Sequence, residues 1–304
     1  MSKKRVIIIT GPTASGKTEL SVQAAKRIGG EIVSADSMQI YREMNIGTAK
    51  PTPEEMQGIP HYLMDEVSIK TPYSVALYQK KAFECIEDIA SRGKTPMVVG
   101  GTGLYINSLL YNLDFTQTTK NDKLRLELEG FPSDVLHEKL KALDETAAAR
   151  IHPNDRKRII RRLEILQSGK TEDYNFREKN TTYDFKVIGI TMDRAELYER
   201  INIRVDKMLE NGLVAEVAGI YAQYPSNLIA LQAIGYKEII EYLESRCSLA
   251  ETAENIKKNT RRFAKRQLTW FNNEERLIWF HKNQYAGTEE MLDEIIQTIS
   301  SSNK

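Results

Sequence analysis

The sequence predicts an α/β fold: a parallel sheet flanked by helices, with an all-helical subdomain inserted into it. Three observations support this prediction. Short apolar runs alternate with helical patterns over the first third of the chain, an order typical of parallel strands joined by crossover helices. A long charged stretch without a strand pattern follows. The apolar run "FKVIGITM" then indicates that the sheet resumes after the insertion.

The individual elements follow from the same patterns. The strand candidates are "RVIIIT", "EIVSA", "HYLMDEV", "TPMVV", "FKVIGITM" and "RLIWF". Helices are expected from Lys17, across "SVALYQKKAFECIEDIAS" and across "TEEMLDEIIQTI", and the insertion contains "NDKLRLELEG", "SDVLHEKLKAL" and "ETAAARI". We therefore expect a core domain of residues 1–115 and 186–304 and an inserted helical subdomain of residues 116–185.

Composition excludes several classes of protein. The 304 residues are 41% apolar, enough to bury a core, and the net charge of +1 means that a polyanion must be held by a local patch. Cys85 and Cys247 are far apart, which argues against a disulfide framework or a thiolate zinc site and favours the cytoplasm. No apolar run approaches the roughly 18 residues that span a bilayer. The opening "MSKKRVIIIT" is too short for a signal peptide and is expected to be the first strand.

The stretch "GPTASGKT" lies between the first strand and the first helix. It matches G-x-x-x-x-G-K-[ST], in which backbone N–H groups point at phosphate oxygens and the next helix presents its positive end. We therefore expect a P-loop NTPase-like core, with Lys17 reaching the outer phosphate and Thr18 offering its hydroxyl to Mg²⁺. The expected diphosphate-binding residues are Gly11, Pro12, Thr13, Ala14, Ser15, Gly16, Lys17 and Thr18.

The loop alone does not identify the reaction. Ordinary P-loop NTPases have an Asp at the end of another apolar strand that helps to hold Mg²⁺, whereas "TPMVV" ends in "GGTG". Asp65 and Glu66 in "YLMDEV" are a competing acidic position after a short apolar run. A small-molecule kinase and a non-enzymatic RNA-binding protein therefore stay open as alternatives at this point.

Two further polar residues follow predicted strands. Asp36 comes after "EIVSA", and Thr102 comes after "TPMVV" in "GGTGLY". Because open α/β sheets bind ligands at the carboxyl ends of their strands, we expect both residues to face the phosphate loop. There Asp36 fits a Mg²⁺ ligand, a helix N-cap or a general base, and Thr102 fits a hydroxyl contact or a plain turn.

Two basic runs, "NDRKRIIRR" and "KKNTRRFAKR", interrupt the overall neutrality. On a helical wheel the second run forms two cationic stripes opposite Ile256, Phe263 and Phe271. The stripes are Lys257, Arg261, Lys265 and Lys258, Arg262, Arg266. Such a helix can bind RNA phosphates or simply face solvent. Arg200 and Arg204 share another helix face and fit either an anion site or a solvated pair.

The remaining candidates are weaker. The four histidines show no metal-ligand spacing, so no metal is assigned to them; they are His61, His137, His152 and His281. Trp270 and Trp279 fit base stacking or core packing, and we favour core packing.

Six motifs in one order resemble the tRNA dimethylallyltransferase (tRNA isopentenyltransferase) family over nearly the whole chain. They are "GPTASGKTELS", "ADSMQIYREMNIGTAKP", "VVGGTGLYI", "RLEIL", "LQAIGYKE" and "TRRFAKRQLTWF". The resemblance implies the shorter bacterial form, without the C-terminal zinc finger of eukaryotic relatives. A related adenylate isopentenyltransferase, which acts on free nucleotide, shares the phosphate loop, but the basic helix favours a polymeric substrate.

The resemblance implies a reaction. The loop would bind dimethylallyl diphosphate, and the N6 amine of the adenosine at tRNA position 37, just 3′ of the anticodon, would attack the allylic carbon and release diphosphate. By position, Asp36 would be the general base, Thr102 would lie near the bridging oxygen, and Lys17 and Arg204 would neutralise the leaving group. Mg²⁺ on Thr18 is the implied cofactor. We expect a cytoplasmic monomer with no protein partner and no membrane contact.

The resemblance also implies contacts with the tRNA anticodon stem-loop, from which the target base must be extruded. The implied contacts are Asp36, Ser37, Met38, Gln39, Arg158, Ile159, Ile160, Arg161, Arg162, Gly235, Tyr236, Lys237, Lys265, Arg266 and Gln267. The chain departs from the family pattern after "SGK", where "TEDYN" replaces the expected Pro-Leu-Ser. Contacts near Thr171 are therefore left open.

Overall fold

The computed structural model describes residues 3–113, 115, 121–168, 178–225 and 227–301. The chain forms two compact units, one of residues 1–111 and 179–304 (the sheet unit) and one of residues 112–178 (the helical unit). The expected boundary at residue 186 is wrong, because it falls inside a strand that begins at Tyr183. Residues 179–185 therefore belong to the sheet unit.

The sheet unit is built on six parallel strands in the order β3-β2-β4-β1-β5-β6. In chain order they are β1 (Lys4–Thr10), β2 (Gly30–Ser34), β3 (His61–Tyr62), β4 (Thr95–Val99), β5 (Tyr183–Thr191) and β6 (Leu277–His281). Central β1 pairs with β4 and β5, so that Ile8 lies between Val98 and Val187. The P-loop-like parallel sheet is thus confirmed, although "HYLMDEV" is a strand over two residues only.

Helices cover both faces of the sheet, and α5 to α8 make up the helical unit. In chain order they are α1 (Lys17–Ile28), α2 (Pro53–Met56), α3 (Val75–Ser91), α4 (Gly103–Leu110), α5 (Asp122–Glu129), α6 (Ser133–Leu143), α7 (Glu145–Arg150), α8 (Arg156–Gln167), α9 (Arg194–Glu210), α10 (Leu213–Gln223), α11 (Tyr236–Leu243), α12 (Leu249–Phe271) and α13 (Thr288–Ser300). Short 3₁₀ turns occur at Ile229–Gln232 and Lys282–Gln284.

The sheet separates two apolar cores. Alternate residues of β1 point to opposite faces, as the period of a strand requires: Ile8 packs in one cluster and Ile7 in the other. The first cluster joins the sheet to α3, α4, α10 and α11, and the second joins it to α1 and α13. These cores fix the carboxyl ends of β1, β2 and β4, where the phosphate loop and its neighbours begin.

The helical unit has a core of its own. The buried apolar residues of α5 to α8 form one cluster: Leu128, Leu136, Leu140, Ala148, Ile159, Ile160 and Leu163. Beside it the buried carboxylate of Glu164 accepts two hydrogen bonds of 2.7 Å from Arg125. Among the described helices of both units, none is long and apolar enough to cross a membrane.

Candidate active site

A cavity of about 940 Å³ lies at the carboxyl ends of β1, β2 and β4. Its walls are the phosphate loop, the turn after β2, residues 45–52, the end of β4, α9 and α12. All of these segments belong to the sheet unit. The site therefore lies where open parallel sheets generally bind their ligands.

The phosphate loop follows β1 and ends at α1. Gly11 and Gly16 have φ angles of 143° and 85°, which residues other than glycine rarely adopt. A Cβ on Gly16 would also collide with the Nζ atom of Lys282. The hydroxyl of Ser15 is buried and has no hydrogen-bond partner among the described residues.

Lys17 is held by the loop that it follows. Its Nζ donates to the carbonyls of Gly11 at 3.0 Å and Pro12 at 2.7 Å. Burial, with a smaller contribution from the charge of Arg204, lowers the pKa of Lys17 to about 7, although Asp36 acts in the opposite sense. Burial thus outweighs the attraction of Asp36, and a bound anion would stabilise the charged form of this lysine.

Three more cations surround the loop. The Nε of Arg200 on α9 donates a hydrogen bond to the carbonyl of Ala14 at 3.1 Å. The other two cations are Arg204 and Lys282. Burial lowers the pKa of both, and the nearby charge of Arg200 lowers it further. None of the three forms a salt bridge within the described part of the chain. The cluster is therefore suited to an anion with more than one charge.

Lys282 has no counterpart in the sequence-based predictions. It directly follows β6, the last strand in chain order. A lysine after the apolar run "RLIWF" is the sequence feature that could have indicated it. Its neighbour in space, Gly16, lies more than 260 residues away in sequence.

Asp36 lies on a turn at the end of β2 and lines the cavity. Its Oδ1 accepts the backbone N–H groups of Met38 at 2.9 Å and Gln39 at 3.4 Å, so the carboxylate stabilises a turn and not a helix. Burial raises the pKa of Asp36, opposed by these two hydrogen bonds and by Lys17. The Oδ2 atom has no hydrogen-bond partner among the residues that the structure describes. A carboxylate whose pKa is raised and which has an available oxygen is suited to accept a proton.

Thr102 links the ends of two strands. Its hydroxyl accepts the backbone N–H of Ser37 at 3.1 Å and lies 3.4 Å from the hydroxyl of Ser37, while its own N–H donates to Ala35 at 3.1 Å. Gly101 lines the cavity, but Thr102 is not among the described residues that do so. In this structure Thr102 therefore holds the turn that carries Asp36.

Glu216, which no sequence pattern indicated, holds residues 45–47, of which Asn45 and Ile46 line the cavity. The carboxylate accepts the N–H groups of Asn45 at 3.1 Å, Ile46 at 2.8 Å and Gly47 at 3.1 Å, and the hydroxyl of Tyr236 at 2.6 Å. In the sequence Glu216 looks like an ordinary polar residue of an amphipathic helix, so no local pattern marks it.

Several side chains expected to contact tRNA have other roles here. Those of Ile159 and Ile160 are in the core of the helical unit, Tyr236 is fully buried, and Gln267 is 6% exposed. The burial of Ile159, Ile160 and Tyr236 in apolar cores leaves their side chains no surface for direct RNA contact in this arrangement, whereas Gln267 lines the cavity. Two other expected contacts are engaged within the protein: Arg162 pairs with Asp144, and Gln39 donates to the carbonyls of residues 48 and 49.

Of the two cationic stripes predicted on α12, two members face another helix and not solvent. Lys257 pairs with Asp206 at 2.8 Å, and Arg261 donates to Asn202 at 2.6 Å, so both face α9. The exposed cations of the helix are Lys258, Arg262, Lys265 and Arg266. One exposed basic face therefore replaces the two stripes, and Phe263, expected to be buried, lines the cavity.

Other candidates are structural. Asp65 forms a salt bridge with Lys50, and Glu66 forms one with Lys81. These two carboxylates are therefore not available as the Mg²⁺-binding acid that P-loop NTPases have at the end of a strand. No group of three or more His, Cys, Asp or Glu side chains suited to a metal occurs in the described ranges. Thr171 lies outside the described residues.

The two tryptophans differ in their surroundings. Trp279 packs in the core, where its ring covers Gly189. Trp270 lies against Gly103 and remains 39% exposed. Core packing is therefore the role of Trp279 only.

A family model described as IPP transferase matches residues 39–274. The chain belongs to this family. Relatives named tRNA dimethylallyltransferase include one from Alkaliphilus metalliredigens, 48% identical over 98% of this chain and 97% of the relative, and one from Bacillus subtilis, 48% identical over 92% and 91%.

Solved structures of IPP transferases share the fold. The full-length tRNA isopentenylpyrophosphate transferase from Bacillus halodurans is similar with a TM-score of 0.74 and 41% identity, over 98% of this chain and 97% of that one. A eukaryotic dimethylallyltransferase described as acting on tRNA has a TM-score of 0.80 and 33% identity, over 91% and 74%. The cavity described above is therefore set in a fold that IPP transferases use.

Proposed function

We propose that the protein is a tRNA dimethylallyltransferase, which transfers the dimethylallyl group of dimethylallyl diphosphate to N6 of the adenosine at tRNA position 37 and releases diphosphate. One observation carries the proposal: a carboxylate with a raised pKa, Asp36, shares a cavity with Lys17, Arg200 and Arg204, which form no salt bridge with any residue that the structure describes. A base and an anion site in one cavity are what the reaction needs. Family membership directs the choice of donor and acceptor.

The donor's diphosphate lies on the phosphate loop. Its charge is met by the cations around that loop, Lys17, Arg200, Arg204 and Lys282. The buried hydroxyl of Ser15, which has no partner among the described residues, fits a phosphate oxygen as acceptor. Charge neutralisation is most valuable as the C–O bond breaks, because the departing diphosphate then gains an electron pair.

Asp36 acts on the acceptor. As the N6–C bond forms, N6 must lose a proton, and the free oxygen of Asp36 receives it. The two backbone N–H groups on Oδ1 fix the direction in which Oδ2 points. Thr102 supports this geometry through Ser37 and, in the proposed mechanism, lies near the bridging oxygen of the donor.

Mg²⁺ fits the site as a cofactor held by few protein atoms. Thr18 lines the cavity at the start of α1, and Mg²⁺ is commonly bound by one or two protein oxygens together with substrate phosphates. Bound there, it would neutralise charge on the diphosphate. Lys17 and Arg204 would do the same from the protein side.

The acceptor RNA is proposed to bind the exposed basic face of α12, with Lys237 and Arg158 as further cationic contacts. Phosphate contacts of this kind give affinity without reading sequence. A reducing cytoplasm and a monomeric state complete the proposal, and both cysteines are free in the structure.

An assay with four substrates tests the proposal. The protein is incubated with labelled dimethylallyl diphosphate or labelled ATP, and with free AMP or an unmodified tRNA that has adenosine at position 37. We expect only the tRNA to gain the prenyl label, and only when dimethylallyl diphosphate is the donor. Label on AMP would indicate a free-nucleotide enzyme, and release of phosphate from ATP without transfer would contradict the proposal.

A further inference from the structure

Gln267 projects from α12 into the wall of the cavity. Its Oε1 accepts the backbone N–H of Thr13 in the phosphate loop at 2.8 Å, and its Nε2 donates to the carbonyl of Gly101 at 2.9 Å. The side chain is only 6% exposed. A neutral amide is required here because one end must accept and the other must donate.

A second observation supports the importance of this contact. A Cβ added to Gly101 would collide with the Nε2 atom of Gln267. Gly101 is therefore a glycine that makes room for the amide, although its backbone φ is not in the left-handed region. Residues more than 160 positions apart in sequence are thus matched to each other.

The two loops that Gln267 joins belong to the two halves of the proposed reaction. Thr13 lies in the loop assigned to the donor diphosphate. Gly101 precedes Thr102, whose hydroxyl accepts the N–H of Ser37 beside Asp36. One side chain therefore sets the position of the donor site relative to the base, and small displacements between reacting groups reduce rates strongly.

We propose that Gln267 is a positioning residue that holds the phosphate loop in register with the Asp36 turn, and that it does not contact RNA. This inference rests on the proposed function. The neighbouring residues Lys265 and Arg266 lie on the exposed face of the same helix. The helix thus separates two tasks: its outer face serves tRNA binding, and Gln267 on its inner face serves catalysis.

The Gln267→Met variant tests the proposal, because methionine keeps the length of the side chain but makes neither hydrogen bond. We expect kcat for tRNA prenylation at saturating substrates to fall about ten- to a hundredfold. The Kd for tRNA should stay within about twofold, because no RNA contact is lost. The affinity for inorganic diphosphate should fall several-fold, because the loop is no longer held.

Two further variants make the result decisive. Gly101→Ala disturbs the same contact from the other partner and should give the same loss of kcat with unchanged tRNA affinity, even if Gln267→Met folds poorly. Thr252→Val, at the buried start of the same helix, removes the two hydrogen bonds of its hydroxyl, to the carbonyl of Ser248 and with the Sγ of Cys247, and should leave kcat unchanged. This control measures what a general loss of helix stability does.

Each result favours or overturns the inference. Weaker tRNA binding by Gln267→Met with unchanged kcat would make Gln267 an RNA contact and overturn it, as would wild-type values of kcat and diphosphate affinity. The diphosphate measurement does not depend on prenyl transfer. If the wild-type protein transferred no prenyl group, the proposed function would fail, while the effect of Gln267 on the loop would still be measured.

Discussion

Single residues in the cavity carry charges that burial makes costly. Lys17 and Asp36 are coupled in a direction that favours both ionised forms, yet burial lowers the pKa of the lysine and raises that of the acid. Desolvation outweighs their mutual attraction, as is general for groups buried in low dielectric. Burial therefore disfavours the charged forms of both residues, and we expect a bound diphosphate to raise the pKa of Lys17.

We expect diphosphate binding to take up protons above neutral pH. In the free protein the pKa of Lys17 is about 7, so the lysine is largely neutral at pH 8. A bound anion favours the charged form and raises that pKa. Affinity for diphosphate should therefore fall as pH rises through about 7, and calorimetry at pH 8 in buffers of different ionisation enthalpy should detect proton uptake. Lys17→Met should abolish the uptake, and an unchanged value would contradict the assignment.

The base is tested by Asp36→Asn. Asparagine retains an oxygen for the N–H groups of Met38 and Gln39, so the turn should persist, but the amide cannot accept the N6 proton. We expect kcat to fall about 10²- to 10⁴-fold, with tRNA affinity within a few-fold. Asp88→Asn, an exposed carboxylate on α3, is the matched control. Prenylation at the wild-type rate by Asp36→Asn would remove this residue from the mechanism.

At the scale of elements, local patterns predicted the sheet well. Six strands were expected, and the described part of the chain contains a sheet of six, because buried parallel strands appear as apolar runs and the phosphate loop is a contiguous motif. Strand β3 is shorter than its apolar run because Leu63 and Asp65 adopt positive φ angles of 60° and 53°, which end it. Such backbone conformations at residues other than glycine have no reliable sequence signature.

Contacts between distant elements could not be predicted in this way. The helical wheel of α12 grouped Lys257 with Lys265, but α9 packs on one side of the helix and pairs with Lys257. Gln267 and Lys282 contact loop residues that lie more than 160 positions away in the sequence. The sequence indicated the phosphate loop and Asp36, which the structure brings to one cavity. The contacts of Gln267 and Lys282 depend on tertiary packing and have no local sequence pattern.

The exposed face of α12 predicts a salt-dependent role in RNA binding. We expect Lys265→Ala with Arg266→Ala to weaken tRNA binding and to reduce the slope of log Kd against log salt by about one to two, because each phosphate contact releases counterions. The single-turnover rate constant at saturating tRNA should change little. Lys80→Ala, an exposed lysine on α3, is the control. An unchanged salt slope would mean that this face does not bind phosphates.

At the scale of the whole molecule, two units with separate cores share one chain. All residues that line the cavity belong to the sheet unit, and the helical unit buries its own apolar cluster. A ligand stabilises the folded state of the unit that binds it. The response to the donor's diphosphate should therefore be confined to one unit.

Hydrogen exchange can test this separation. Saturating inorganic diphosphate with Mg²⁺ should slow amide exchange in the phosphate loop, α1 and the turn after β2, because opening of these segments then also costs the binding free energy. Amides of residues 121–168 should exchange at unchanged rates. Lys17→Met, which lacks the central cation of the loop, should show no protection at the same diphosphate concentration. Equal protection of α8 would show that the helical unit is coupled to the donor site, and the two units would then have to be treated as one cooperative structure.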